Sequence, residues 1–216
     1  MKKVLLITLG LVLTYGLDAQ LRYGVKLGGT LSSIYSKYTG EGETESNNSD
    51  PKIGFKAGAM LEYSFSSSFA LQPELLYVNS GGKYKEEFEG GNESSKINFH
   101  QLQLPVNIKY KMGTDNLKFY VAAGPYIGYI FAGKEKWNYK WNYDGESDSD
   151  SGSDDIYGEN SRLKHIDFGV GAGFGVEFLN KYTVGAGYKY GIANLTKAEN
   201  SKIKTGTFDL SIGYFF

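Results

Sequence analysis

Residues 207–216, TFDLSIGYFF, decide the fold. Phe208, Leu210, Ile212, Tyr214 and Phe216 alternate with small or polar residues. A period of two predicts a β-strand with one apolar face. The strand ends on an aromatic side chain, where a water-soluble domain usually carries polar residues. We therefore expect the strand to belong to a protein whose apolar face does not meet water.

The same alternation recurs along the whole chain of 216 residues. Seven more strands are predicted, over residues 21–28, 53–65, 69–78, 97–110, 117–131, 166–178 and 182–190. Long polar connections, predicted as loops, alternate with short turns; the long ones cover residues 32–50, 79–95, 132–162 and 193–203. This alternation of long and short connections is typical of a transmembrane barrel. The predicted fold is all-β: an eight-stranded antiparallel up-and-down transmembrane β-barrel.

A water-soluble barrel of the lipocalin type is the competing all-β fold. The two folds differ in which face of the strands is apolar. Here one face is almost purely aliphatic and aromatic, and the other mixes glycine with charged and polar residues. The interior of an eight-stranded barrel is narrow and is filled by its own side chains. Glycine and paired charges suit that interior, so the pattern favours the membrane barrel.

Two features interrupt the strand pattern. The apolar face of the fourth strand changes parity at His100-Gln101, which predicts a β-bulge there. Pro73, Pro105 and Pro125 fall inside predicted strands, where each removes a donor from the hydrogen-bond ladder. We expect local bulges or twists beside them.

The first 19 residues predict a secretory signal peptide, which leaves residues 20–216 as the barrel domain. Lys2 and Lys3 precede an apolar run that starts at Val4, and Ala19 is a small residue at the cleavage position. The run is shorter than the ~20 residues that a spanning helix needs. The chain has no cysteine, hence no lipobox, and its net charge of −1 argues against nucleic acid as a partner.

Five segments resemble the strand signatures of the PorT-like outer-membrane β-barrel family of Bacteroidota. They are Tyr23-Gly24-Val25-Lys26, Leu71-Gln72-Pro73-Glu74-Leu75-Leu76-Tyr77, Leu102-Gln103-Leu104-Pro105, Ala123-Gly124-Pro125-Tyr126 and Asp167-Phe168-Gly169. The resemblance implies a barrel in the outer membrane, and the even number of predicted strands puts both mature termini on the periplasmic side. It implies no catalytic residue and no cofactor. Some members are linked to type IX secretion, so an accessory role there is one expectation.

The closing strand is similar to the C-terminal signal that the barrel-assembly machinery reads. Tyr214 and Phe216 are the residues that would carry it. Further partners expected of such a barrel are outer-membrane lipid, lipopolysaccharide and an extracellular or secretion-system protein. We expect a monomer.

Two groups of residues could carry chemistry. Residues 144–155 hold six acids, and Asp148, Asp150 and Asp154 are weak candidates for a calcium site, although the register fails the EF-hand pattern. His165 and Asp167 share an inward face, with Ser161 nearby, which leaves a lipid A-modifying enzyme as an alternative. The more general expectations are a solvated extracellular loop and a hydrogen-bond network, with no catalysis.

The charged residues of the inward face should pair, because an unpaired charge in a dry interior is costly. The expected heights of these residues along the barrel axis predict one ion pair between Lys118 and Glu177 and another between Asp167 and Lys189. A small channel is the alternative use of these charges, although eight strands leave little bore.

Overall fold

The computed structural model describes residues 20–40, 43–88, 91–143, 146–157, 161 and 163–216, so the predicted signal peptide lies outside the described residues. Within these ranges the chain forms ten β-strands: β1 Gln20–Gly40, β2 Glu43–Asn48, β3 Lys52–Ser64, β4 Phe69–Phe88, β5 Gly91–Gly113, β6 Leu117–Tyr143, β7 Glu146–Asp155, β8 Ile166–Phe178, β9 Tyr182–Gly191 and β10 Ser201–Phe215. These residues contain no helix long and apolar enough to cross a membrane.

Eight of these strands close an antiparallel ring in the order β1, β3, β4, β5, β6, β8, β9 and β10. The ring closes because β10 pairs with β1, from Phe215 opposite Gly24 to Ser201 opposite Tyr38. The predicted eight-stranded barrel is confirmed, with the first and last strands as neighbours. Closure leaves no strand edge of the ring unpaired, which a membrane requires.

The two ends of the ring differ in their connections. Short turns at residues 65–68, 114–116 and 179–181 lie at one end, together with Gln20 and Phe216; we call it the short-turn end. The other end, the long-hairpin end, carries every longer connection.

The predicted loops at the long-hairpin end are mostly strands, which corrects the sequence interpretation. Residues 79–88 and 91–95 continue β4 and β5 as paired strands, and residues 132–143 and 146–155 pair as β6 and β7. Residues 35–40 of β1 and 43–48 of β2 form a third such pair. The sequence interpretation treated these segments as loops because charged and polar residues dominate them, although Trp137, Tyr139 and Trp141 alternate with polar residues in β6.

The outside of the ring is apolar and the inside is charged. Phe174 is 65% exposed, Leu210 60% and Ile53 72%, whereas Glu62, Lys109 and Asp167 are buried inside. Water would penalise this arrangement and lipid favours it. The exposed outer surface is therefore the lipid-facing surface, as the sequence predicts.

The bulge predicted at His100-Gln101 is confirmed in position, but the extra residue lies on β6. His100 pairs with Ala132 and Gln101 pairs with Ile130, which leaves Phe131 without a partner. Phe99 and Gln101 are both buried, so β5 keeps its inward parity. The apolar residues of β5 change sides there because the barrel beyond this level has an apolar interior.

The three prolines do not shift the strand register. The ladder between β4 and β5 lapses beside Pro73 and resumes three residues on, at Leu76 opposite Gln103. The ladder between β5 and β6 lapses from Pro105 to Ile108 and resumes in the same register. The expected bulges are therefore absent at these described positions, and short gaps in the ladder accommodate the missing donors.

Candidate interaction surface at the long-hairpin end

A network of charges fills the barrel interior at the short-turn end. Arg22 Nη2 lies 2.7 Å from both Glu62 Oε1 and Glu177 Oε2. Lys109 Nζ lies 2.9 Å from Glu62 and 3.3 Å from Glu177, and Lys111 Nζ lies 2.7 Å from Glu62. Three cations thus share two carboxylates, and these mutual contacts offset the desolvation of the individual charges.

The middle of the interior holds a second group. Lys26 pairs with Glu74, and Lys56 pairs with Asp209. Lys189 Nζ donates to Gln103 Oε1 at 2.9 Å. A cavity of about 70 Å³ lies among these side chains, which is room for a few water molecules and not for a continuous pore.

The two predicted ion pairs do not form, although their members lie in the expected strands. Lys118 is opposite Glu177 in register, but its amine contacts Asp115 at 3.3 Å and Asn180 Oδ1 at 2.8 Å. Glu177 instead reaches across the interior to Arg22. The prediction considered only adjacent strands, whereas the narrow bore brings opposite walls within reach of long side chains.

Asp167 is likewise held by neutral groups. It accepts hydrogen bonds from Tyr126 Oη at 3.1 Å and Thr205 Oγ1 at 3.2 Å, and not from Lys189. Lys189 lies nearer the middle of the barrel, because its partner in register is Gly171, four residues beyond Asp167. The predicted pair was wrong because its two members lie four positions apart in register, or about 13 Å along the strand.

An apolar core closes the interior at the long-hairpin end. It consists of Ile34, Phe99, Ile130, Ala193 and Leu195, each at most 5% exposed. Ile97, Ile156, Tyr157, Leu163 and Ile203 pack against it. The position of the apolar residues therefore changes along the barrel. They lie on the outside of the ring at membrane level and on the inside at the long-hairpin end.

His165 belongs to the rim of this core. Its Nδ1 donates to the backbone carbonyl of Ile130 at 2.7 Å, and its ring lies between Tyr129 at 5.4 Å and Tyr157 at 4.6 Å. The Ser161 hydroxyl donates to the carbonyl of Leu163 at 3.0 Å. These contacts orient both side chains toward the backbone, and no serine–histidine hydrogen bond joins them within the described ranges.

Beyond the core, the strands continue as two sheets. The four-stranded extension comprises residues 83–88 of β4, 91–98 of β5, 134–141 of β6 and 148–155 of β7. The three-stranded extension comprises residues 35–40 of β1, 43–48 of β2 and 201–204 of β10. Backbone hydrogen bonds between Asp50 and Lys83, at 2.7 and 3.1 Å, join the β2–β3 connection to β4.

The two faces of these extensions carry opposite charge. Residues directly opposite each other in a ladder share a face, so the register assigns every side chain to the outer or the inner face. The outer face, continuous with the lipid-facing surface, carries nine lysines and two acids: Lys37, Lys83, Lys85, Lys96, Lys134, Lys136, Lys140, Lys202 and Lys204, with Glu87 and Asp155. The inner face carries eight acids and, within these described segments, no lysine or arginine: Glu43, Glu45, Glu86, Glu93, Glu135, Asp148, Asp150 and Asp154.

The candidate metal ligands lie on the inner face of β7. Asp154 Oδ2 accepts a hydrogen bond from Trp137 Nε1 at 3.3 Å, and Asp148 and Asp150 are exposed. The described residues hold no group of three or more side chains arranged to bind a metal ion. Trp137, Tyr139 and Trp141 share this face, which makes it both acidic and aromatic.

The predicted assembly residues lie at the seam of the ring. Phe216 N donates to the carbonyl of Tyr23 at 3.0 Å, and the two rings are 5.4 Å apart. Tyr214 lies opposite Val25, with its ring 5.2 Å from Tyr182 and 5.4 Å from Phe216. The rings of Tyr214 and Phe216 are the last lipid-facing side chains of the seam at the short-turn end.

The sequence interpretation missed the charge segregation of the extensions. The signal was present as alternation in Lys134-Glu135-Lys136 and in Lys83-Tyr84-Lys85-Glu86. It could have been detected only if these segments had been treated as strands rather than as loops.

A closed antiparallel ring with an apolar outside and a charged inside defines a transmembrane β-barrel protein. The model of one protein family, described as outer membrane protein beta-barrel domain, matches residues 18–197. The chain belongs to this family, and with it to the proteins of the outer membrane.

Solved structures of other barrels are similar over most of the chain. Ail of Yersinia pestis is 17% identical, with 90% of this chain and 98% of that chain covered and a TM-score of 0.40. OprG of Pseudomonas aeruginosa is 11% identical, with 93% and 99% covered and a TM-score of 0.45. The outer membrane enzyme PagL is 14% identical, with 84% and 97% covered and a TM-score of 0.43. No curated protein shows a significant match.

Proposed function

We propose that this protein is a monomeric outer-membrane barrel with a structural or binding role exerted through its extracellular extensions, and without catalytic activity. The observation that carries the proposal is the contrast between the two parts of the molecule. The interior is filled by ion pairs at one end and by an apolar core at the other. The extensions, in contrast, present two large faces of opposite charge. A filled interior and elaborated extensions suit binding better than transport.

We further propose the orientation. The short-turn end, with Gln20 and Phe216, faces the periplasm, and the extensions face outward, because short periplasmic turns and longer extracellular segments are the rule for such barrels. The five segments quoted above support a place among the PorT-like proteins of Bacteroidota. The expected partners are lipopolysaccharide, outer-membrane lipid, the assembly machinery during biogenesis and an extracellular or secretion-system protein.

Cysteine labelling tests the orientation, because the natural chain has no cysteine. Ser151→Cys lies in the β7 hairpin and Ser67→Cys in a short turn, and both serines are exposed. A membrane-impermeant maleimide should label Ser151→Cys on intact cells and Ser67→Cys only after the outer membrane is permeabilised. The reverse pattern would invert the proposed orientation.

The filled interior gives a second test. In planar lipid bilayers the purified mature chain should show no stable single-channel conductance, because the apolar core and the ion network both close the bore. Stable openings of uniform size would replace the binding role with a channel.

The lipid A-modifying alternative rests on His165. Because its ring nitrogen is bound to a backbone carbonyl, we propose a positioning role for the ring in the rim of the apolar core. Lipid A mass spectra should be identical in cells that carry the natural protein, the His165→Ala variant or neither. A modification lost only with His165→Ala would establish the enzyme instead.

A further inference from the structure

The outer face of the four-stranded extension contains a row of lysines that pair with no carboxylate among the described residues. Lys83 lies directly opposite Lys96, and Lys96 lies directly opposite Lys136. Like charges in such positions repel and destabilise a sheet. No described carboxylate lies within 4.0 Å of these three amines, whereas neighbouring Lys134 has Asp155 at 4.0 Å. The fold gains nothing from this row, so a bound anion would account for it.

The row lies just above the membrane level. Tyr77, His100 and Phe131 form an aromatic cluster on the same outer surface, with Tyr77 Oη 2.5 Å from His100 Nδ1 and ring centroids 6.0 to 6.4 Å apart. Aromatic side chains of this kind mark the interface between hydrocarbon and headgroups. Lys96 is four residues beyond His100 on β5, or about 13 Å along the strand. The amines therefore lie at the height of lipid headgroups or slightly above.

The carboxylates on the opposite face of the same sheet show that the lysine row is not part of a general excess of positive charge. Its carboxylates, among them Glu86 and Glu93, face away from the lipid, toward the axis of the barrel. The three-stranded extension repeats the arrangement, because Lys37 lies opposite Lys202 on the outer face and Glu45 lies on the inner face. The chain is almost neutral overall, with a net charge of −1, yet its lysines are concentrated on the side that overhangs the lipid.

We propose that Lys83, Lys96 and Lys136 bind the phosphate groups of the anionic lipid in the adjacent leaflet. In the orientation proposed above, on which this inference rests, that lipid is lipopolysaccharide and the phosphates are those of lipid A. The lipid inserts its acyl chains beside the apolar wall of β4 to β6, and its phosphates meet the lysine row. The flexible amines act as point charges for the phosphates, and neutralisation removes the repulsion between neighbouring strands.

Titration of bis-phosphorylated lipid A into the mature chain, in micelles of an uncharged detergent, tests the proposal. The variant Lys83→Gln/Lys96→Gln/Lys136→Gln should bind on the order of 100-fold more weakly, since each lysine near an anionic surface contributes a factor of about five. The variant with arginine at all three positions should bind within about threefold of the unaltered protein, because it keeps the charges. Dephosphorylated lipid A should bind weakly to every variant.

A matched control removes three charges from the other face. If attraction were nonspecific, Glu45→Gln/Glu86→Gln/Glu93→Gln would strengthen binding as much as the lysine variant weakens it. We expect no change, because these carboxylates face away from the lipid. Equal binding by the glutamine-for-lysine variant, or equal and opposite effects of the two triple variants, would overturn the proposal, as would full competition by inorganic phosphate at the lipid A concentration.

Heat-modifiable migration on a gel confirms that each variant is folded. If the triple variant does not fold, Lys96→Gln alone, at the centre of the row, should weaken binding by about fivefold and answers the same question. Cysteine labelling distinguishes failure of the proposed orientation from failure of the phosphate site. Correct labelling with unchanged lipid A binding refutes only the phosphate site, whereas inverted labelling refutes the orientation and the site together.

Discussion

Arg22 and Glu177 are 155 positions apart in the chain, and their side chains meet at 2.7 Å inside the barrel. Glu62 joins them from a third strand, so that carboxylates of β3 and β8 are bound by the guanidinium of β1. These contacts cross the interior and connect β1, the first strand of the ring, to β3 and β8, which are far apart in sequence. The network therefore depends on closure of the barrel and, once formed, stabilises it.

The first prediction concerns the centre of this network. Glu62→Gln leaves Arg22, Lys109 and Lys111 with Glu177 as the remaining carboxylate of the cluster. Breaking a buried ion pair costs about 3 to 5 kcal/mol, so the free energy of unfolding should fall by that amount. Urea unfolding of the protein in lipid vesicles measures it.

Asp115→Asn is the matched control, because the Asp115–Lys118 pair is exposed and exposed pairs contribute about 0 to 1 kcal/mol. If Glu62→Gln were as stable as this control, the interior charges would not stabilise the ring.

The second prediction concerns the apolar core. Leu195 is fully buried, and Leu195→Ala should lower the free energy of unfolding by about 3 to 5 kcal/mol, because the removed side chain leaves a cavity. Leu210→Ala, on the lipid-facing surface, should cost about 2 kcal/mol, because lipid fills the space and only the transfer of the side chain is lost. Equal losses, measured by unfolding in vesicles, would argue that no packed core closes the barrel.

The third prediction concerns a close approach between strands. A Cβ atom on Gly124 would lie 2.0 Å from the carbonyl oxygen of Val106, beside the gap in the ladder at Pro105. Gly124→Ala should therefore destabilise the barrel by about 1 to 3 kcal/mol through overpacking. Gly29→Ala should be nearly neutral, since a Cβ atom there meets nothing within 4 Å. Thermal unfolding of the two variants compares them, and a neutral Gly124→Ala would refute the tight approach.

The fourth prediction concerns the seam. Deletion of Phe216 removes the hydrogen bond to Tyr23 and the aromatic ring that directly follows β10, so the yield of folded protein in the outer membrane should fall severalfold. Phe178→Ala, which removes an exposed ring at the same end, should leave the yield unchanged. Quantitative blotting of outer-membrane fractions provides the measurement. Full yield of the truncated chain would show that Phe216 has no part in assembly.

The sequence by itself determined the barrel. Alternation such as that of Phe208, Leu210 and Ile212 has the period of a strand, and an apolar face opposite a charged one is stable only if lipid covers the first and the barrel encloses the second. The number of ring strands and the position of the bulge follow from local pattern, and the pairing of β1 with β10 follows from closure of the ring. They could be predicted because side-chain period and turn length are local properties of the chain.

Only the tertiary structure decided which charges meet and what the polar connections become. Glu177 contacts Arg22 and not Lys118, because a narrow ring brings distant walls within reach of long side chains. The segments around Lys83, Lys96 and Lys136 are aligned into one row by pairing with neighbouring strands, and no one of the three segments specifies that alignment alone. Contacts between residues far apart in sequence are set by register and closure, and no local pattern encodes them.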